Sequence, residues 1–237
     1  MADTYANKSF RIALALFALF LAGYAFLQSP IFSLREVRLS GNDHLTLDDV
    51  IAQAGLVMGT NLLEVDPRRV ARSLEQSPVI AQVRVARRFP ATLLIQITER
   101  RPVAYLPAER GFWTVDAEGR ILYRVETLNK PMPLLTTSPP VAPAEGHVLD
   151  EPHVLAALRF VSALSLRGLA QLAEVHAAAR GIRAYTADGI TVDLGLEGDM
   201  KEKAGVLETL LAKAAEGNVR ITRIDVRHPR SPVVEGR

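Results

Sequence analysis

Cysteine is absent from the 237-residue sequence, and neither sign of charge is in large excess. Without cysteine the chain has no disulfide, no thiol nucleophile and no cysteine-ligated zinc. The 28 basic side chains face 26 acidic ones, a formal net charge of +2, and such a balance indicates no nucleic acid or other polyanionic partner. The fold must therefore be stabilised by packing, for which about 200 residues after the N-terminal segment suffice.

Motifs of the common enzyme classes are also missing. The five histidines show no HExxH spacing, and the sequence has no GxSxG, P-loop, GxGxxG or SxxK motif. Two polar groups remain as candidates for chemistry: possible metal ligands in a proline-rich loop, His147, Asp150, Glu151 and His153, and the carboxylates Asp116, Glu118, Asp188 and Asp193. Polar crowding is common in loops, and aspartate in a hairpin turn usually serves backbone geometry. The sequence thus predicts no enzyme, cofactor, metal site or small-molecule substrate.

One long apolar run stands near the N-terminus. Residues 12–27 carry no charge, and the next charged side chain is Arg35. A helix over this run would be about 24 Å long, and extension to residue 32 gives about 31 Å, which matches a hydrocarbon core about 30 Å thick. The sequence therefore predicts a transmembrane helix at 12–32.

The charges that flank this run predict its orientation. Lys8 and Arg11 precede it with only Asp3 against them, so the positive-inside rule makes 1–11 a short cytoplasmic tail and places the body outside the inner (plasma) membrane. Two alternatives stay open. The triplet Gly23-Tyr24-Ala25 resembles a signal-peptide cleavage site, which would also export the body. The other alternative is a buried core helix, although few such helices are apolar on every face.

The first part of the body, residues 33–101, has the signals of a strand, two helices and two further strands. Gly41 ends the first strand. Thr46 and Asp66 can cap the two helices, the second of which begins with a proline. Apolar residues then alternate in two runs, 79–86 and 93–98. The pattern predicts a βααββ domain.

Residues 102–228 predict a mixed α+β domain with a mostly antiparallel sheet. Hairpin turns are indicated at 116–119 and 188–189, and amphipathic helices at 152–166 and 199–217. A final strand is indicated at 220–227, and 229–237 is left as a C-terminal tail. The whole chain is therefore predicted to be α+β, with one membrane helix and two domains.

Several short motifs share their order and spacing with a known family. They are Gly41-Asn42, residues 59–63 with Asp66, residues 78–90, residues 98–104, residues 115–119, Leu194-Gly195 and residues 224–227. Through them the chain resembles the FtsQ/DivIB cell-division proteins, from about residue 10 to 234. The resemblance implies a bitopic protein with one membrane helix, a POTRA domain at 33–101 and a β domain at 102–228.

The resemblance also implies a role. The protein would be a non-enzymatic scaffold of the bacterial division complex at the septum. It would bind an FtsB/FtsL-type (DivIC-type) coiled-coil pair through the β domain and contact upstream division proteins through the POTRA domain. The implied partner-binding residues are Arg180, Ile224, Asp225, Val226, Arg227, His228, Val233 and Val234. The implied recruitment surface is Gln82, Val85 and Arg87. His228 stands where the family usually has tyrosine, so an aromatic anchor is missing there.

Strand chemistry alone suggests how a partner would bind. A terminal strand at 220–227 with an unpaired outer edge would let another chain add a strand. Val226→Pro would then abolish capture and leave the fold soluble. The alternative is a strand paired on both edges. The alternative function is a POTRA-bearing chaperone or transport-associated periplasmic protein, for which the sequence shows neither repeated domains nor a barrel-length series of strands.

Overall fold

The structure is a computed structural model that describes residues 2–217 and 220–236. The chain divides into two compact units, Met1–Glu99 and Arg100–Arg237. Each unit has its own buried apolar cluster. The sheets of the two units are separate, one with three strands and one with nine.

The chain begins with a long apolar helix, α1 (Ala2–Leu27), followed by a short 3₁₀ turn at Pro30–Phe32. The helix starts earlier than the predicted span because neither proline nor glycine interrupts the sequence before Gly23. Its side chains from Arg11 onward are exposed, so the buried-core alternative is wrong. Arg11–Phe32 is a candidate membrane span by length and hydropathy. No other candidate occurs in the part of the chain that the structure describes.

The rest of the first unit confirms the predicted βααββ order. Its elements are β1 (Glu36–Ser40), α2 (Leu47–Ala54), α3 (Pro67–Leu74), β2 (Ile80–Arg88) and β3 (Thr92–Glu99). The strands lie in the order β1-β3-β2, with β1 parallel and β2 antiparallel to β3. Thr46 and Asp49 form a reciprocal capping box at the start of α2, and the Asp66 carboxylate accepts the Arg68 N–H at the start of α3.

The alternation of β2 differs from the sequence pattern. The register shifts between Ile80 and Gln82, as at a β-bulge. Ile80 and Val83 are therefore buried, while Ala81 between them is exposed. The simple alternation of 79–86 would have put Ala81 on the same face as Val83. One extra residue in a strand changes the face of every residue on one side of it.

The second unit is built around a nine-stranded sheet. Its elements are β4 (Pro102–Pro107), β5 (Phe112–Asp116), β6 (Ile121–Val125), β7 (Leu134–Ser138), α4 (Pro152–Ala163), α5 (Leu166–Gln171), β8 (Leu172–Ala178), β9 (Gly181–Thr186), β10 (Thr191–Gly195), α6 (Met200–Gly217), β11 (Ile221–Asp225) and β12 (Val233–Gly236). The strand order is β12-β11-β10-β9-β8-β7-β4-β5-β6. Five of the eight neighbouring pairs are antiparallel, which confirms the predicted mixed and mostly antiparallel sheet.

The core of this unit lies between one face of the sheet and the helices α4 and α6. Val192 and Ile224, on neighbouring strands β10 and β11, point toward the helices and are fully buried. Leu158 of α4 and Leu207 of α6 pack in the same cluster. Because side chains alternate along a strand, Asp193 and Asp225 point to the opposite face, where the charged residues described below gather.

Candidate partner-binding interface

The sheet of the second unit ends in an edge strand that the sequence pattern did not indicate. Residues 229–237 are predicted as a tail, but the segment Val233–Gly236 forms β12, antiparallel to β11. The Ser231 N–H donates to the His228 carbonyl at 3.0 Å and turns the chain back along β11. The strand β12 ends the sheet order, so its outer edge has no partner strand among the described residues. Val233 and Val234 are 56% and 40% exposed.

This arrangement corrects the expectation for 220–227. The strand β11 is paired on both sides, by β10 and by β12, so it is internal and not an edge. Val226 is fully buried, and its N–H donates to the Asp193 carbonyl at 2.9 Å. Proline at 226 would remove that internal hydrogen bond, so the expectation of an intact fold for Val226→Pro is wrong. Ile224 is also fully buried, so the side chains of Ile224 and Val226 belong to the core beneath the candidate interface.

Three neighbouring strands are tied together by one carboxylate on the exposed face. Asp193 of β10 accepts from Arg183 Nε of β9 at 3.0 Å and from Arg223 Nε of β11 at 2.7 Å. The carboxylate is largely buried, whereas both arginines are about half exposed. Its hydrogen bond raises the pKa of Arg223. These two ion pairs hold β9, β10 and β11 together next to the edge strand β12.

A second ion pair positions Arg227 beside the edge. The Asp225 carboxylate accepts from Arg227 Nε at 2.9 Å and from Arg227 Nη2 at 2.6 Å. The hydrogen bond from Arg227 lowers the pKa of Asp225. Gly195 lies directly below the arginine, because a Cβ at Gly195 would be 3.2 Å from Arg227 Cγ. Arg227 is therefore an exposed cation with a defined position.

The resemblance implies both Arg180 and Arg227 as partner-binding residues, and the structure places them on the same groove. Both line an open groove of about 330 Å³ whose wall also includes Gly195 and His176. Arg180 lies in the exposed turn between β8 and β9. His228 is exposed as well, in the turn that leads to β12. Of the accessible members of the implied partner-binding set, Arg227, His228, Val233 and Val234 thus lie on β12 or in the segment that joins it to β11, whereas Arg180 lies farther in, beside the central strands β8 and β9.

Lys203 is a supporting residue that the sequence analysis missed. It is fully buried on α6, and its ammonium donates to the Leu194 carbonyl at 2.6 Å and to the Glu197 carbonyl. Burial lowers the pKa of Lys203, while Glu197 and Asp225 act in the opposite direction. A signal was present in the sequence, since position 203 lies on the apolar stripe of residues 200, 204, 207 and 211. The lysine fixes the loop between β10 and α6.

The residues of the implied recruitment surface share a strand but not a face. Gln82, Val85 and Arg87 all belong to β2, one of the two edge strands of the three-stranded sheet. Gln82 is exposed, and Val85 packs against the core. Arg87 donates from Nε and Nη2 to the Val65 carbonyl at 2.9 and 2.8 Å. The feature that these three residues share is therefore the backbone edge of β2, to which another strand could pair.

The candidates for chemistry have structural roles or lie apart. Asp116 is buried and accepts from Arg100 Nη1, from the Glu118 N–H and from the Arg120 N–H, so it organises its hairpin turn. Within residues 2–217 and 220–236, no three histidine, aspartate or glutamate side chains are grouped so that they could hold a metal ion. This statement includes the polar cluster at 147–153.

Two protein-family models match the chain. The model described as POTRA domain, FtsQ-type, matches residues 32–100. The model described as Cell division protein FtsQ/DivIB, C-terminal, matches residues 104–227 and therefore ends before β12. Because both matched models are of the cell-division type, the transport alternative is left without support.

Known proteins of similar sequence give the same result. The chain is 31% identical to the cell division protein FtsQ of Anaeromyxobacter sp. (strain K) over 207 residues, which cover 85% of this chain and 68% of that protein. It is 27% identical over 220 residues to the FtsQ of Syntrophotalea carbinolica, covering 90% of this chain and 77% of that protein. A solved structure of the major extracytoplasmic domain of the trans isomer of DivIB from Geobacillus stearothermophilus aligns with a TM-score of 0.36 at 20% identity. That alignment covers 52% of this chain and 99% of the solved chain.

Proposed function

Because the chain belongs to the FtsQ/DivIB family of cell-division proteins, we propose that it is a non-enzymatic, single-pass scaffold of the bacterial division complex. The proposed organisation is a cytoplasmic tail (1–11), a membrane span (12–32), a POTRA domain (33–101), a partner-binding β domain (102–228) and a C-terminal segment (229–237). The body would lie outside the inner membrane and gather at the division septum.

The free outer edge of β12 is the observation that carries this proposal. An unpaired edge offers a row of backbone N–H and C=O groups to a strand of another chain. The edge has both valines exposed and is backed by a sheet of eight further strands. We propose that an FtsB/FtsL-type partner adds a strand to β12, so that β12 takes the role first given to 220–227.

Charged side chains farther in from the edge would help to select the partner and set its register. Arg227 is positioned by Asp225, and the groove beneath it includes Arg180. An acidic side chain on the partner would complement these two arginines. Since His228 replaces the usual aromatic residue, backbone pairing and charge would carry more of the binding here than an aromatic anchor.

The edge of β2 would receive upstream division proteins in the same way. This strand lies at one end of the POTRA sheet, with β1 at the other end. Gln82 is exposed beside this edge. A scaffold that presents the edge of β12 on one domain and the edge of β2 on the other can join two sets of partners without any chemical step.

Photo-crosslinking in growing cells tests this function. A crosslinking amino acid at Val233 is expected to capture a small septal coiled-coil protein, and one at Gln82 an upstream division protein. Leu166 is the matched control, because its side chain is 79% exposed on α5, which lies on the same unit but away from β12. Capture of only outer-membrane precursors at 233 and 82, or identical products at 233 and 166, would contradict the proposal.

A further inference from the structure

Exposed apolar side chains surround the end of α1 on the first unit. Five of them are between 47% and 67% exposed: Leu27, Ile31, Val57, Met58 and Phe89. We call these five residues the apolar collar. Of the five large apolar side chains exposed between residues 28 and 99, four belong to the collar, and the exception is Leu47. Such a concentration on one end of a unit marks a contact surface.

The collar is joined to the membrane-proximal end of the helix by direct contacts. The Phe32 ring lies edge-on to Phe26 with 5.4 Å between centroids, and to Phe89 with 6.2 Å. Asn61 Nδ2 donates to the Leu27 carbonyl at 2.7 Å. The loop that carries Val57 is thereby tied to the last turn of α1.

The collar lies at one end of the three-stranded sheet. The strand β1 begins at Glu36, opposite Thr92, so the hairpin tip with Phe89 lies at the end where the chain leaves α1. The opposite end is formed by the loop that follows β1, where Glu99 accepts the N–H groups of Asp43, His44 and Leu45. Leu47 follows that loop, so it is an exposed apolar residue far from the collar along the sheet.

We propose that the apolar collar lies in the boundary between the lipid headgroups and the acyl chains of the membrane that holds α1. This inference rests on the proposed single-pass membrane anchor. The apolar span continues to Phe32, so the bilayer surface lies at the level of Phe32, which touches Phe89. Arg35 and Arg88 are exposed beside the collar and can reach lipid phosphates.

Insertion of the collar would set the orientation of the POTRA sheet. A helix alone leaves a following domain free to tilt, whereas a second contact on the hairpin and on the loop of Val57 removes that freedom. The edge of β2 would then stand at a fixed height above the bilayer. Upstream proteins that are themselves anchored in the membrane would meet it in one orientation.

Single cysteines in the otherwise cysteine-free full-length chain test the proposal. Phe89→Cys, Val57→Cys and Leu47→Cys are each labelled with the same environment-sensitive fluorophore and reconstituted into vesicles of phosphatidylethanolamine and phosphatidylglycerol. We expect labels at 89 and 57 to emit at shorter wavelength than the label at 47. Lipids that carry a nitroxide near the headgroup should quench the labels at 89 and 57 at least about threefold more strongly than the label at 47. Leu47 is the matched control because it is also apolar and exposed.

A fourth label, at Leu19→Cys within α1, separates failure of the collar from failure of the anchor. It should be quenched by a nitroxide placed deep in the acyl chains. Deep quenching at 19 with equal signals at 89, 57 and 47 would overturn the collar and leave the anchor intact. Absence of quenching at 19 would overturn both.

Discussion

Proline at Val233 or Val234 is expected to reduce the amount of the FtsB/FtsL-type pair that co-purifies with the full-length protein by at least about tenfold, which corresponds to about 1.4 kcal/mol of binding free energy. Along an antiparallel strand, successive N–H groups point to opposite sides. One of the two prolines therefore removes a donor from the outer edge of β12. The other breaks the pairing of β12 with β11, which positions that edge.

Alanine at the same positions is the matched control. Val233→Ala and Val234→Ala shorten exposed side chains and keep every backbone donor, so binding should change by less than about threefold. Every residue of β12 is exposed, so both alanine variants and the proline that faces the outer edge should unfold at nearly the same temperature as the parent. Trp113 fluorescence can follow this, since the single tryptophan lies in the second unit. Equal losses for proline and alanine would indicate a side-chain interface and refute strand addition.

Alanine at Gly41 is expected to destabilise the first unit by about 3 kcal/mol or more. Gly41 has φ = +77°, and a Cβ there would lie 2.2 Å from the Ile97 carbonyl oxygen. The left-handed conformation alone costs an L-residue about 1–2 kcal/mol. The clash adds to this because the Ile97 carbonyl belongs to the central strand β3 and cannot move without the sheet, and overpacking of this kind costs about 1–3 kcal/mol.

Gly59 supplies the control for backbone conformation. It has φ = +91° and nothing within 4 Å of its ideal Cβ, so Gly59→Ala should show the conformational term alone, about 1–2 kcal/mol. Amide hydrogen exchange of β3 in the full-length chain measures the loss of stability in both variants. Trp113 fluorescence should stay unchanged, because it reports the other unit. If the β3 amides lost no more protection in Gly41→Ala than in Gly59→Ala, the close packing of the 41–46 loop on β3 would be contradicted.

The parts of the fold that could be predicted from the sequence depend on neighbouring residues. The capping box of Thr46 with Asp49 and the cap of Asp66 before Pro67 mark both helices of the first unit, because these hydrogen bonds form within three residues. Hairpin turns such as that of Asp116 are marked in the same local way. The βααββ order and the mixed second domain were therefore predictable.

The features that escaped prediction depend on residues far apart in the sequence. Pairing of β12 with β11 depends on the turn at His228, where the sequence has two prolines that are typical of an unstructured tail. The shared carboxylate of Asp193 and the buried ammonium of Lys203 need partners from other elements. The resemblance implies Ile224 and Val226 as interface residues, but both side chains are buried in the core that α4 and α6 form with the sheet.

Amide hydrogen exchange of β12, with and without the FtsB/FtsL-type pair, is the most direct measurement of strand addition. The expected result is that the outward N–H groups of Val233–Gly236 exchange at least about tenfold more slowly in the complex, while β6 at the opposite end of the same sheet is unaffected. Unchanged exchange in β12, with protection elsewhere on the second unit, would contradict partner capture at this edge.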